Sequence, residues 1–88
     1  MDNLNNLYKT IRINIKSIRK EKRITQKELA EKIGVSEGYI SDIERESKDK
    51  HPTIKCLLSI SEALGVELID LLERKDVYEE KEVNIFRT

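Results

Sequence analysis

The chain has 88 residues, 38% of them hydrophobic and 39% charged, with 17 Lys and Arg balanced by 17 Asp and Glu for a formal net charge of zero. This length holds one domain and leaves no room for a second core, and a domain this small buries only about 60% of its unfolded surface, so well-capped helices and a compact core are required. No apolar run reaches the roughly 18–20 residues that span a bilayer, Met1 to Lys9 lacks the apolar centre of a secretory signal, and the only cysteine, Cys56, excludes an internal disulfide and suits a reducing cytoplasm.

Residues 1–6, MDNLNN, are polar and read as a frayed end. A first helix follows over about Leu7 to Lys22, where Ile11, Ile15 and Ile18 recur at i, i+4 and i+7 and form one apolar stripe. Ile13 falls off that stripe. Arg12, Lys16, Lys20 and Arg23 occupy the outer faces, whereas Arg19 borders the stripe directly after Ile18.

Gln26 to Arg45, QKELAEKIGVSEGYISDIER, reads as two short helices joined at a tight corner. Leu29, Ala30 and Ile33 mark the inner face of the first, and Ile40 and Ile43 that of the second. Thr25 followed by Glu28 is a capping box, in which hydroxyl and carboxylate satisfy each other's backbone N–H groups. Ser36 caps the next helix in the same chemical sense. Gly34 stands at the corner, able to take the left-handed conformation that a sharp stop requires.

The stretch ESKDKH, residues 46–51, is a charged loop. Pro52-Thr53 opens a fourth helix with Ile54, Leu57, Leu58, Ile60 and Leu64 as its apolar face and Ala63 alongside. Gly65 stops it, and Val66 with Leu68, Ile69, Leu71 and Leu72 indicates a short fifth helix. Beyond Glu73 the composition turns strongly charged before closing on VNIF, residues 83–86. This tail, residues 74–88, is compatible with a continued helix, an extended arm or a disordered end. Its apolar Val83, Ile85 and Phe86 suit contact with a partner, including strand-like pairing across a dimer.

A helix–turn–helix lays its second helix in the DNA major groove. Zero net charge opposes nucleic-acid binding, but the distribution favours it. Lys9 to Lys32 carries nine basic residues against three acidic, while Glu62 onward carries eight acidic against four basic. Phosphates respond to the local field and not to the total. His51 is the only histidine, so no metal-ligand cluster can be assembled around Cys56, and no nucleophile–base pair or phosphate-cradling glycine loop is present. Neither an enzyme nor a cofactor is expected.

The phrases TQKELAEKIGVS and ALGV with a following double leucine, together with Ala30, Gly34 and apolar residues at 29, 33, 35, 40 and 43, resemble the XRE family, the Cro and lambda-type repressor group. The resemblance covers roughly residues 11–72. It implies an all-α, five-helix, lambda-repressor-like domain over residues 7–73, with the helix–turn–helix at helices two and three and a short tail at 74–88. It further implies base readout by Glu37, Gly38, Tyr39 and Asp42, DNA-backbone contacts from Gln26, Ser36, Ser41, Arg45, Lys48 and Lys50, and a structural ion pair between Arg19 and Glu44. The reading helix departs from the family in offering two carboxylates and a glycine where amide or basic donors are usual. Glu37 and Asp42 can accept from a cytosine amino group.

The expected function is a cytoplasmic, sequence-specific transcription regulator, a repressor or autoregulator, that binds a two-fold operator on double-stranded DNA as a homodimer, with a regulatory protein as a further partner. The alternative is a protein-interaction module or antitoxin that keeps the fold and binds a protein.

Overall fold

The computed structural model describes residues 2–45 and 51–74. Five helices follow one another: α1 (Asp2–Glu21), α2 (Gln26–Ile33), α3 (Glu37–Glu44), α4 (Ile54–Leu64) and α5 (Leu68–Leu72). No strand occurs among the described residues. The tail beyond Arg74 and the loop at 46–50, with Lys48 and Lys50, lie outside them.

One core joins all five helices. Ile11, Ile15 and Ile18 of α1 meet Leu29 and Ala30 of α2, Ile40 and Ile43 of α3, Leu57, Ile60 and Leu64 of α4, and Leu71 of α5. Helix α1 is the common support, packing against α3, α4 and α5, while α2 rests on α3 and α4. Ala30 is 1% exposed, a small residue buried in this core.

Three helices stop in the same way. After α1, Arg23 has φ 59°, and the N–H of Ile24 donates to the Arg19 carbonyl while that of Arg23 donates to Lys20. Gly34 after α2 and Gly65 after α4 hold φ 77° and 73°, and each is followed by a valine N–H reaching back to Ala30 and Ser61 respectively. This left-handed stop satisfies the last carbonyls of each helix. At the other ends, Thr25, Ser36 and Thr53 accept from the N–H groups of Glu28, Tyr39 and Cys56, and Glu28 returns a carboxylate to the Thr25 N–H at 2.8 Å.

Two sequence-based expectations are revised. Helix α1 begins at Asp2 and not at Leu7, because Leu4 and Leu7 extend the helical spacing of Ile11, Ile15 and Ile18 toward the N-terminus. That extension overhangs the bundle, so both leucines stay exposed. On α4, Ile54 and Leu58 are 68% and 45% exposed and do not join the core. The inward arc is Leu57, Ile60, Ser61 and Leu64, and Ser61 is accommodated by donating its hydroxyl to the Leu58 carbonyl at 2.8 Å. His51 lies in the loop before Pro52, as the sequence indicates, and stacks its ring on Tyr8 of α1, with centroids 3.9 Å apart and planes 12° from parallel.

Candidate nucleic-acid interface

Helix α3 divides its residues by direction. Ile40 and Ile43 are fully buried, and Tyr39 packs partly against the same core. Glu37 and Gly38 are exposed, and Ser41 and Asp42 are half-buried at the edge of the outward face. Ser36 is exposed at the start, and Arg45 is exposed just past the end, donating to Ser41 Oγ at 3.3 Å. The outward face thus carries Glu37, Gly38, Ser41 and Asp42 together, with Arg45 closing the row.

Tyr39 belongs to two environments. Its ring borders a shallow cleft lined also by Ile33, Val35, Ser36, Lys55 and Cys56. Burial, then the neighbouring Cys56 thiol, hold its phenol above the usual tyrosine range. Contact with Cys56 and the core orients this side chain sideways from α3, a placement that spacing alone did not indicate. The same cleft brings Lys55, at the start of α4, beside the start of α3.

A polar cluster fastens α3 to the two preceding helices. Arg19 donates Nε to Glu44 Oε2 at 2.8 Å and Nη2 to Oε1 at 2.9 Å. Its Nη1 donates to the Ile24 carbonyl at 2.9 Å, so the guanidinium also closes the turn between α1 and α2. The two side chains are only 8% and 3% exposed. The hydrogen bond to Glu44 raises the Arg19 pKa above its ordinary value, against the opposing effect of burial. The arrangement expected for Arg19 and Glu44 is present.

Gln26 joins that cluster. It sits half-buried at the first position of α2, and its Nε2 donates to Glu44 Oε1 at 3.0 Å. The two residues lie 18 positions apart, so helical spacing does not reveal this bond. Asn14 was also missed. It is 1% exposed on α1, and its Nδ2 donates to the carbonyls of Leu71 at 3.0 Å and Glu73 at 2.8 Å, closing the C-terminal end of α5. A polar residue between Ile11 and Ile15 on an apolar stripe was the available signal, since buried polar side chains need partners. Among the described residues, no group of histidine, cysteine or carboxylate side chains could hold a metal ion.

A short first helix of the pair, a left-handed glycine corner and a second helix with a buried inner face and a polar outer face define a helix–turn–helix protein. The sequence description "Helix-turn-helix" matches residues 15–71, and the chain belongs to that family, in its Cro/C1 or XRE branch. It is 34% identical over 73 residues to an immunity repressor protein of Bacillus phage phi105, covering 83% of this chain and 49% of that one. It is 45% identical over 62 residues to the HTH-type transcriptional regulator SinR of Bacillus licheniformis, covering 70% of this chain and 55% of the relative. The chain therefore spans about half the length of these two curated relatives. Among solved structures, the clp gene regulator ClgR from C. glutamicum superposes with a TM-score of 0.68 at 36% identity, over 75% of this chain and 83% of that one. A hypothetical transcription factor from Neisseria superposes with a TM-score of 0.72 at 25% identity, over 85% and 84% of the two chains.

Proposed function

We propose that this protein is a DNA-binding transcription regulator, a repressor or autoregulator, that binds a two-fold operator as a homodimer. The observation that carries the reading is the division of α3, whose inner isoleucines are fully buried while Glu37, Gly38, Ser41 and Asp42 share its outward face. Similarity to an immunity repressor and to a transcriptional regulator supports it.

In this reading α3 enters the major groove, and Glu37, Gly38, Tyr39 and Asp42 contact base edges or the groove wall. Glu37 also stabilises the first turn of α3, where a carboxylate complements the helix dipole. Gln26, Ser36, Ser41, Arg45, Lys48 and Lys50 contact the DNA backbone. At the start of α2, the Glu28 N–H is occupied by Thr25, which leaves the Gln26 and Lys27 N–H groups as the earliest donors facing an approaching phosphate. One helix–turn–helix reads too little DNA for strong specificity, and two copies on half-sites about one turn apart remedy this. Val83, Ile85 and Phe86 of the tail and the exposed Ile69 of α5 are the proposed surface between copies.

The test is selection of duplexes from a random pool, followed by affinity measured against salt and the mass of the bound species. A recovered two-fold motif with a steep negative salt slope is expected, since each neutralised phosphate contributes about −0.9 to the slope. A flat salt response would replace this reading with a protein-interaction module or antitoxin.

A further inference from the structure

Glu44 does more than pair with Arg19. Its Oε1 accepts from two donors at once, Arg19 Nη2 at 2.9 Å and Gln26 Nε2 at 3.0 Å. Its Oε2 takes the remaining Arg19 bond at 2.8 Å. Arg19 is fixed in turn by the Ile24 carbonyl. The carboxylate is thus immobilised from two sides before Gln26 reaches it, and it is 3% exposed. A long, unbranched side chain at the start of a helix ordinarily samples several rotamers. Here the amide of Gln26 is tied to a rigid, charged acceptor.

We propose that Glu44 is a positioning residue for DNA: it holds the Gln26 amide so that one N–H is spent on the carboxylate and the other is presented to a backbone phosphate. This rests on the reading of the α2 start as a phosphate contact. A side-chain amide nitrogen carries two N–H groups in one plane, so engaging one fixes the line of the other. The negative charge of Glu44 does not repel the phosphate at full strength, because the bidentate Arg19 guanidinium neutralises it. The pair that locks α1 to α3 therefore also sets a contact made from α2.

The experiment uses the full chain and a duplex that the wild-type protein selects from a random pool. Each phosphate is replaced singly by a neutral methylphosphonate, and affinity is measured for wild type, Gln26→Ala and Glu44→Gln, with folding of each variant checked by its melting transition. Wild type should lose roughly tenfold or more at the phosphate facing the start of α2. Both variants should bind the unmodified duplex correspondingly more weakly, become insensitive to that one replacement, and remain sensitive at the others. A purely structural role would weaken binding without this selective loss.

If folded Glu44→Gln keeps wild-type sensitivity where Gln26→Ala has lost it, the positioning role is wrong. If Gln26→Ala keeps it as well, the phosphate contact of Gln26 and the positioning both fall, while DNA binding stands. If no duplex is selected at all, every part falls. Should Glu44→Gln fail to fold, the side-chain amide protons of Gln26 decide by NMR in the free wild-type protein. One proton shifted from the ordinary glutamine range and protected from solvent exchange upholds the bond to Glu44, and a pair at ordinary shifts exchanging freely with solvent overturns it.

Discussion

Arg19 and Glu44 stand 25 positions apart in sequence and meet in a two-point ion pair that joins α1 to the last turn of α3. Both side chains are withdrawn from solvent, so losing one partner strands the other. Removing one member of a buried pair costs about 3–5 kcal/mol. Glu44→Ala should therefore lower the melting temperature by more than about 10 °C in a domain of this size. Glu31→Ala, an exposed acid on α2, should change stability by no more than about 0.5 kcal/mol. Equal effects in calorimetry would reduce Glu44 to an ordinary surface acid.

Asn14→Ala removes the donor that serves the carbonyls of Leu71 and Glu73. An unsatisfied buried polar group costs about 1–3 kcal/mol, and the variant should lose stability in that range. Because the lost bonds act on α5, amide exchange at Leu68–Leu72 should accelerate before that of α2 and α3. Uniform acceleration would contradict the assignment.

Gly38 has an ordinary backbone conformation, since only Gly34 and Gly65 among the glycines have positive φ. A Cβ added there would have Ser36 Oγ as its nearest neighbour, at 4.0 Å. Helix propensity therefore decides, and Gly38→Ala should stabilise the protein by about 1 kcal/mol in denaturant titration. A loss of operator affinity in the same, more stable variant would assign Gly38 to close approach of DNA.

Arg23 occupies a left-handed position at which the other two stops of this kind carry glycine. Left-handed geometry disfavours a side chain by about 1–2 kcal/mol, partly offset by the greater freedom glycine gives the unfolded chain. Arg23→Gly should raise stability by about 0.5–1 kcal/mol, and Gly34→Ala and Gly65→Ala should lower it. A destabilised Arg23→Gly would show that the arginine makes a compensating contact.

Tyr39 ionises less readily in the folded protein than in the unfolded chain, through burial first and the Cys56 thiol second. A raised tyrosine pKa contributes stability that is complete below the unfolded value, about 10, and lost as pH rises through the folded value. Alkaline unfolding should therefore be less pH-dependent in Tyr39→Phe than in wild type. Absorbance titration should lose a phenol step that ionises above the ordinary tyrosine range in the same variant. Superimposable titration curves, scaled only for tyrosine number, would show that Tyr39 is not the perturbed group.

Much of the fold was legible because its signals are local. Thr25 with Glu28, Gly34, Ser36, Thr53 and Gly65 each announce a helix end through a bond within a few residues, and each end lies where the sequence places it. The start of α1 was obscured because residues 2–6, DNLNN, carry only one large apolar residue, Leu4, whose role depends on the helix already existing downstream. Ile54 and Leu58 were misassigned because hydrophobicity does not state direction, and on α4 a serine takes an inward position instead. On α3, the outward placing of Glu37, Gly38 and Asp42 and the inward placing of Ile40 and Ile43 followed from period, whereas the packing of Tyr39 against the core did not. The bonds from Asn14 to the end of α5 and from Gln26 to Glu44 did not, since they depend on tertiary proximity between residues far apart in sequence.

Helix α3 is only eight residues long, and inward and outward positions alternate along it. Ile40, Ile43 and Glu44 anchor it, whereas Glu37 and Gly38 are exposed and Ser41 and Asp42 sit half-buried at the edge of the outward face. Under the proposed function, that outward row is a replaceable cassette. Exchanging those four residues for the outward residues of another helix of the same register should yield chimeras that fold like the parent yet recognise different DNA, so new specificity is open to this scaffold by substitutions that leave its core untouched.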